Sequence, residues 1–435
     1  MSALILFIGV VITVLTTAHW YLWRRLVRDV SAPGSTFRRI GTVLAFLLPA
    51  LMVAAQVSGV AGVPFSLQQV LAWPGFYWAV ALLYLTLALL AGEPVRLLWL
   101  RRRRAQPSPD QPAEPAAVKE TASVGRVARP GGPPAGPGPD RQAAPEADRA
   151  DGSAAAGPEP SGHSRRLFVA RTVAIGATTA ATGVLGYGTY RARNLTTRHV
   201  TVPLAHLPRS AHGYRIAVVA DIHLGPVLGQ AHCRRVVDAV NRTQPDLITV
   251  VGDLVDADVD DLRAAAAPLA ELSAREGTFF VTGNHEYYVG ADQWTAHVRE
   301  LGMEPLENAR RELSFFDLAG VNDVAGEDYG AGPDFEAALG DRDPQRTSVL
   351  MAHQPVLIHD AVDHGVDLQL SGHTHGGQLW PVNYLAGLAN PTLEGLEKYG
   401  DTQLYVTRGA GAWGPPVRVG ADPDITVVEL ASGRA

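Results

Sequence analysis

Three stretches within the first hundred residues carry no Asp, Glu, Lys or Arg: Ala3 to Leu22, Gly41 to Val63 and Trp73 to Ala91. Backbone that enters a bilayer must satisfy its own N–H and C=O groups, so runs of this kind fold as helices. At about 1.5 Å per residue, each is long enough to cross a hydrocarbon core of about 30 Å. The third run opens with WPGFYW, aromatic residues of the kind that settle at a membrane interface. Arg24, Arg25, Arg28, Arg38 and Arg39 fill the loop after the first run and Arg101 to Arg104 follow the third, whereas Pro64 to Ala72 is uncharged. Cytoplasmic loops carry the excess of positive charge, which predicts an outer amino terminus and places both arginine clusters in the cytoplasm. Residues 1–104 are thus expected to be a membrane domain of three helices.

Residues 105–163 hold 12 of the chain's 31 prolines and almost no large apolar side chain. Such a segment cannot bury enough surface to offset its chain entropy and reads as a disordered cytoplasmic linker. Next comes SRRLFVARTVAIGATTAATGVLGYGTY, Ser164 to Tyr190, whose paired Arg165 and Arg166 before a weakly apolar run resemble a twin-arginine export signal. That resemblance implies export machinery of the twin-arginine type as a partner. An ordinary fourth spanning helix with flanking arginines is the alternative. Both readings deliver everything after about Arg191 to the extracytoplasmic face of a multi-pass membrane protein.

The formal net charge of −6 supplies no basic footprint for nucleic acid, which is not expected as a partner. The single cysteine, Cys233, excludes an intrachain disulfide and a cysteine-based zinc knuckle. A metal would have to be held by His, Asp, Glu and Asn.

From about residue 199 to 435 short β-rich runs alternate with helical ones, the pattern of an α/β domain. Tyr214 to Ala220 ends in DIHLG, Leu247 to Val251 in GDLVD and Thr278 to Val281 in TGNHE. Ser348 to Ala352 ends in HQP, and Val366 to Leu370, apolar at alternate positions, ends in SGHTH. Groups at the carboxyl ends of α/β strands converge on one crevice, so these five tips should meet, with glycines providing the tight turns that aim the side chains.

Each fragment alone is weak, since a single strand-end histidine is usually structural. The ordered set D-x-H, G-D-x-x-D, G-N-H-E, a later H and G-H-x-H resembles the calcineurin-like metallophosphoesterase family over about His212 to Leu430. The blocks GHTHGGQ, RGAG and PPVR are similar to its membrane-anchored, exported bacterial branch. The resemblance implies a four-layer αββα sandwich, two face-to-face sheets with helices outside, and a dinuclear site at one edge. It further implies that Asp221, His223 and His375 hold one divalent ion, that Asn284, His353 and His373 hold the other, and that Asp253 bridges them. Imidazoles mixed with hard oxygens suit Mn, Fe or Zn, and a bridging carboxylate offsets repulsion between the cations.

Two cations sharing a water make hydroxide available near neutral pH for in-line attack on phosphorus. His285 would stabilise the transition state or protonate the leaving group, while Asp256 and Glu286 are expected to orient ligand imidazoles. Arg408 is a candidate for meeting a substrate phosphate, with pairing to a surface carboxylate as the equal alternative. Tyr287, Tyr288, Trp380 and Trp413 are candidates for a substrate cleft, and His199, His206, His212, His232, His297, His359 and His364 read as structural. The function expected is a membrane-tethered phosphohydrolase acting on phosphodiester or pyrophosphate bonds of a lipid-linked or envelope substrate. Phosphomonoester or phosphoprotein hydrolysis, a nuclease, and a non-catalytic metal-binding sensor are the alternatives.

Overall fold

Four long helices precede a two-sheet domain in the computed structural model, which describes residues 2–104 and 162–433. The linker expected over 105–163 lies outside the described residues apart from Gly162 and His163, which open a helix. The helices are α1 (Ser2–Leu22), α2 (Thr36–Val57), α3 (Phe65–Arg104) and α4 (Gly162–Arg193). Among the described residues, three stretches are long and apolar enough to cross a membrane: Thr36–Val57, Phe65–Trp99 and Arg166–Arg193. The second helix ends six residues short of the expected Val63, because Ser58 to Gly62 turns back with Gly62 at φ +64°. The third begins earlier than expected, where the Gln68 side chain caps the turn by donating to the Val63 carbonyl (2.7 Å).

Small residues let these helices approach closely. A Cβ added to Gly75 of α3 would lie 2.5 Å from Ala55 and from the Leu51 carbonyl of α2. At the end of the bundle that carries the first-loop arginines, Arg25 and Arg96 both pair with Glu93 (2.8 and 2.9 Å), and Arg171 of α4 donates to the Val30 carbonyl (3.1 Å). The opposite end meets the two-sheet domain: Gly188 of α4 abuts Val417 and Val419, and Arg191 pairs with Asp422.

The domain's strands are β1 (Thr196–Leu204), β2 (Tyr214–Val219), β3 (Leu247–Val251), β4 (Thr278–Val281), β5 (Glu304–Pro305), β6 (Ala309–Glu312), β7 (Asp317–Gly320), β8 (Ser348–Met351), β9 (Leu368–Ser371), β10 (Gly395–Tyr399), β11 (Thr402–Val406) and β12 (Asp424–Ser432). They form two six-stranded sheets, β1-β12-β2-β3-β4-β5 and β10-β11-β9-β8-β7-β6. Strands β2 to β5 are mutually parallel, as are β7, β8, β9 and β11. The side-chain period of two decides which layer each residue enters. Along β2, Ile216 and Val218 join Val349, Met351, Leu368 and Leu370 of the other sheet, whereas Ala217 and Val219 pack outward against Val236 and Val240 of helix α5 (Gln230–Arg242).

Helices α6 (Val259–Ala266), α7 (Asn284–Val289) and α8 (Ala291–Glu300) follow β3 and β4, and α8 packs on the outer face of the first sheet. Helices α9 (Phe335–Leu339) and α10 (Ile358–Asp363) cover the second sheet, which completes the αββα order. A last short helix, α11 (Asn383–Ala389), follows the GHTHGGQ block. Full burial of each Val, Leu or Ile in the layer between the sheets is worth about 1.5–3 kcal/mol, so the pairing of the sheets is strongly specified.

Candidate metal centre

The carboxyl ends of β2, β3, β4, β8 and β9 lie together because the loops after them keep bonding one another once the sheets have ended. Asp221 N donates to the Gly252 carbonyl (3.0 Å) and His223 N to that of Asp253 (3.1 Å), which locks the first two tips side by side. Gly372 N donates to His353 O (3.0 Å), joining β8 to β9. The segment after β11 sews the two sheets together, with Ala410 N on Ala220 O (2.9 Å) and Gly411 N on Asp221 O (2.8 Å).

These loops are strained at the residues that carry chemistry. Asp221, His223, Asp253, His373 and His375 have φ of 54°, 50°, 51°, 72° and 54°, a left-handed region that costs a non-glycine residue roughly 1–2 kcal/mol. The neighbouring glycines work differently from the expectation of flexible turns. A Cβ on Gly372 would lie 2.5 Å from Asp221 Oδ2, and one on Gly283 would collide with the Asp253 carboxylate. Both glycines are there to let the backbone come close to a carboxylate.

Among the described residues three groups place their ligand atoms within 4.8 Å of one another: Asp221, His223 and His375; Asp253, His353 and His373; and His223, Asp253 and His285. Asn284 joins the second through its Oδ1, 3.0 Å from His373 Nδ1. All seven residues expected as ligands therefore meet in one cluster, in which Asp253 shares a group with His353 and His373 and another with His223. The seven histidines read as structural, at 199, 206, 212, 232, 297, 359 and 364, belong to none of the groups.

The protonation pattern of the donors fits divalent cations. His353 Nδ1 lies 2.9 Å from the Val251 carbonyl and therefore carries the proton. This leaves Nε2 as the nitrogen available to an ion, buried without a hydrogen bond and 3.2 Å from Asp253 Oδ2. His223 Nδ1 faces Asp256 Oδ1 (2.7 Å), which turns its Nε2 toward His375 Nε2, 2.9 Å away. Two ring nitrogens aimed at one another are satisfied by one shared proton or one shared cation.

Burial and neighbouring charge set the protonation of these donors. Burial pushes the Asp221 carboxyl up to about 6 against the pull of His353. Burial and His353 push His373 down to about 4, and burial and Arg418 hold His375 well below its usual range. Burial opposes the charged forms of both Asp253 and His353, yet their mutual attraction drives the carboxyl well below and the imidazole well above its ordinary value. A cation entering this cluster displaces protons from such pairs.

His285 sits at the cavity edge, with Nδ1 2.8 Å from Asp256 Oδ1 and Nε2 4.0 Å from Asp253 Oδ2. Burial would lower its pKa, but the bond to Asp256 and the charge of Asp253 outweigh it and raise the ring to about 9. Burial likewise opposes ionisation of Asp256, and the two imidazoles it contacts overcome that and bring it down to about 2. Asp256 thus orients two histidines at once.

Glu286 and Arg408 take other roles than a ligand-orienting carboxylate and a phosphate contact. Glu286 orients no imidazole: its carboxylate is fully buried and accepts from the backbone N–H groups of Gly283 (2.6 Å), Leu254 (2.8 Å), Asp253 (3.0 Å) and Val255 (3.3 Å). The reason is geometric, because Glu286 is the third residue of α7 and its side chain folds back over the helix start to reach the unpaired donors of two loops. Arg408 does not meet the cavity either, since Glu394 holds its guanidinium with two hydrogen bonds.

The arginine that shapes the site is Arg418, which sequence reasoning noted only as part of PPVR. Fully buried, it donates to the carbonyls of His375 (2.7 Å), Gly411 (2.6 and 2.9 Å) and Arg408 (2.9 Å), and its Nη2 lies 3.0 Å from His375 Nδ1. Nothing local in the sequence marks an arginine for this cage of carbonyls.

His223, Asp253, Asn284, His373 and His375 line a cavity of about 490 Å³ whose walls include Tyr288 and Trp413, as expected for a cleft, while Asp221 and His353 lie behind them. Tyr287 is instead buried with its hydroxyl on Ala331 O (3.1 Å), and Trp380 does not line the cavity. A second cavity of about 610 Å³ lies on the other side of His285, Tyr288 and Trp413 and is walled by Gln56, Ser58 and Phe76 from the helical bundle. The centre therefore faces the helices.

The family model described as calcineurin-like phosphoesterase matches residues 214–377. A transmembrane protein with metallophosphoesterase domain from Danio rerio is 38% identical over 245 residues, which is 53% of this chain and 56% of that protein. A metallophosphoesterase of Helicobacter pylori is 34% identical over 62% of this chain and 73% of its own length, and one of Bacillus subtilis is 32% identical over 62% of this chain and 98% of its own. The chain spans little more than half the length of the vertebrate relatives it matches.

Proposed function

Because this chain belongs to the metal-dependent, calcineurin-like metallophosphoesterase family, we propose that it is a membrane-tethered phosphohydrolase that cleaves phosphodiester or pyrophosphate bonds. The observation that carries the reading is the convergence of seven O and N donors from five strand ends on one cluster, five of them lining the cavity, with Asp253 common to two of the three donor groups. A carboxylate placed between two donor sets favours a pair of divalent ions, of which Mn, Fe and Zn suit the donors. Asp221, His223 and His375 would hold one, Asn284, His353 and His373 the other, and Asp253 both. When bound, such ions supply Lewis acidity at the phosphoryl oxygens and a water of lowered pKa.

The chain's own groups do the rest. His285, held by Asp256, presents a protonated ring to the developing charge on phosphate or to the leaving oxygen. Tyr288 and Trp413 flank the ester and narrow access of bulk water. The full-length protein in detergent with Mn²⁺ is expected to hydrolyse an aryl phosphodiester faster than the matching monoester. His285→Gln is expected to lower kcat by about 10²–10⁴-fold with bound metal retained. Bound metal with no turnover of either ester would favour a sensor domain instead.

The family domain and the uncharged α2–α3 turn share one end of the bundle, and the arginines of the first loop are at the other. By the positive-inside rule we take the metal centre to be extracytoplasmic, with α4 as the fourth pass and Arg165 and Arg166 as a twin-arginine address. Protease added to intact cells is expected to remove the domain after Arg193. A fully protected domain would reverse the orientation.

A further inference from the structure

We propose that the segment Leu379–Asn390 is a lip embedded in the outer half of the bilayer, and that it opens the metal cavity sideways to a phosphate-bearing lipid. The substrate class rests on the phosphohydrolase reading, while the embedding of the lip does not. The segment carries no charged residue. Its helix α11 has no buried residue, and Trp380, Tyr384, Leu385 and Leu388 are 52%, 67%, 67% and 85% exposed. A contiguous apolar patch of this kind on a soluble face marks a surface that something else covers.

The membrane-spanning helices identify the cover. Leu379 packs in the same apolar cluster as Leu82 and Leu85 of α3 and Ala181 of α4. The Tyr84 hydroxyl donates to the Trp380 carbonyl (2.7 Å). Tyr84 stands near the middle of the apolar span Phe65–Trp99. Measured along α3 it lies about 12 Å beyond Phe76, which walls the cavity at the outer end of the bundle. The lip therefore runs down beside α3 and α4 below the level where the rest of the domain meets the bundle, and its exposed side chains face acyl chains.

The same segment is one wall of the metal cavity. Leu379, Val382 and Ala386 line it opposite His223, Asp253 and His373. A lipid moving laterally within the outer leaflet can present its phosphate to the donors while its chains stay on the apolar side of α11. Hydrolysis there breaks the P–O bond to the leaving alcohol and forms one to the oxygen of water. One water proton ends on the alcohol, and the other stays on the phosphate or passes to solvent.

The test uses the full chain in vesicles of phosphatidylethanolamine and phosphatidylglycerol. Cys233 is buried, so Leu388→Cys offers one accessible thiol for a fluorescent probe. Brominated acyl chains are expected to quench that probe. With Mn²⁺, Leu385→Asp combined with Leu388→Asp is expected to lower the ratio of phosphatidylglycerol turnover to that of a water-soluble diester by about tenfold or more. An unquenched probe, or an unchanged ratio, overturns the lip as a lipid entrance even if the soluble ester is hydrolysed. Quenching without turnover of either ester by the unsubstituted chain overturns the hydrolase reading and lipid entry with it, and leaves the lip in the bilayer.

Discussion

Asp253→Asn is expected to lower turnover of a phosphodiester by about 10³-fold or more and to leave the protein with less than its full complement of divalent metal. Asp253 Oδ1 accepts the His285 backbone N–H (2.9 Å), while Oδ2 faces His353 Nε2 (3.2 Å) and His223 Nε2 (3.8 Å), which belong to different donor sets. On the proposed two-ion reading, this carboxylate would offset repulsion between the ions, since it contacts both donor sets. An amide of the same shape can still accept from His285, so the loop is expected to persist, but the charge is gone. Metal content by elemental analysis beside kcat checks this. Activity within tenfold of the unsubstituted protein, with full metal, would remove Asp253 from the shared position.

Glu286→Ala carries the second large effect, on stability. The carboxylate receives four backbone N–H groups from the loops that hold Asp253 and Asn284. Leaving a buried donor unpaired costs about 1–3 kcal/mol, so the substitution should destabilise the two-sheet domain by about 3–6 kcal/mol after relaxation and water entry. For a domain of this size that corresponds to a fall in Tm of roughly 10 °C. Glu286→Gln keeps one acceptor oxygen and should fall in between. Thermal unfolding followed by tryptophan fluorescence measures both. Equal melting of the alanine variant and the unsubstituted chain would show that the loops stand without this cradle.

The strands that position the centre could be read locally because their signal is local. LITVV and TFFV are short apolar runs bounded by glycine, and they form strands over the residues expected, Leu247–Val251 and Thr278–Val281. The ligand types at their ends were equally plain, since Asp, His and Asn beside glycine stand out against apolar surroundings. For Arg408 the sequence left open whether a phosphate or a carboxylate is the partner, and only the packing shows Glu394, fourteen positions earlier, beside it. Glu286 misled because its partners are N–H groups rather than side chains. The apolar segment after GHTHGGQ gave no strand or span period, so nothing in its sequence revealed that it lies against α3.

By itself, the sequence determined the apolar spans, the alternation that sorts each strand's side chains into layers, and the set of metal-type donors, because all three are properties of residues and their spacing. The tertiary structure alone decided the left-handed backbone at five of the donors, the pairing of Arg408, the cages around Glu286 and Arg418, and the depth of the lip. Each of these depends on which distant atom occupies the space next to a side chain, and that follows from the packing of two sheets and a helical bundle rather than from any run of neighbours.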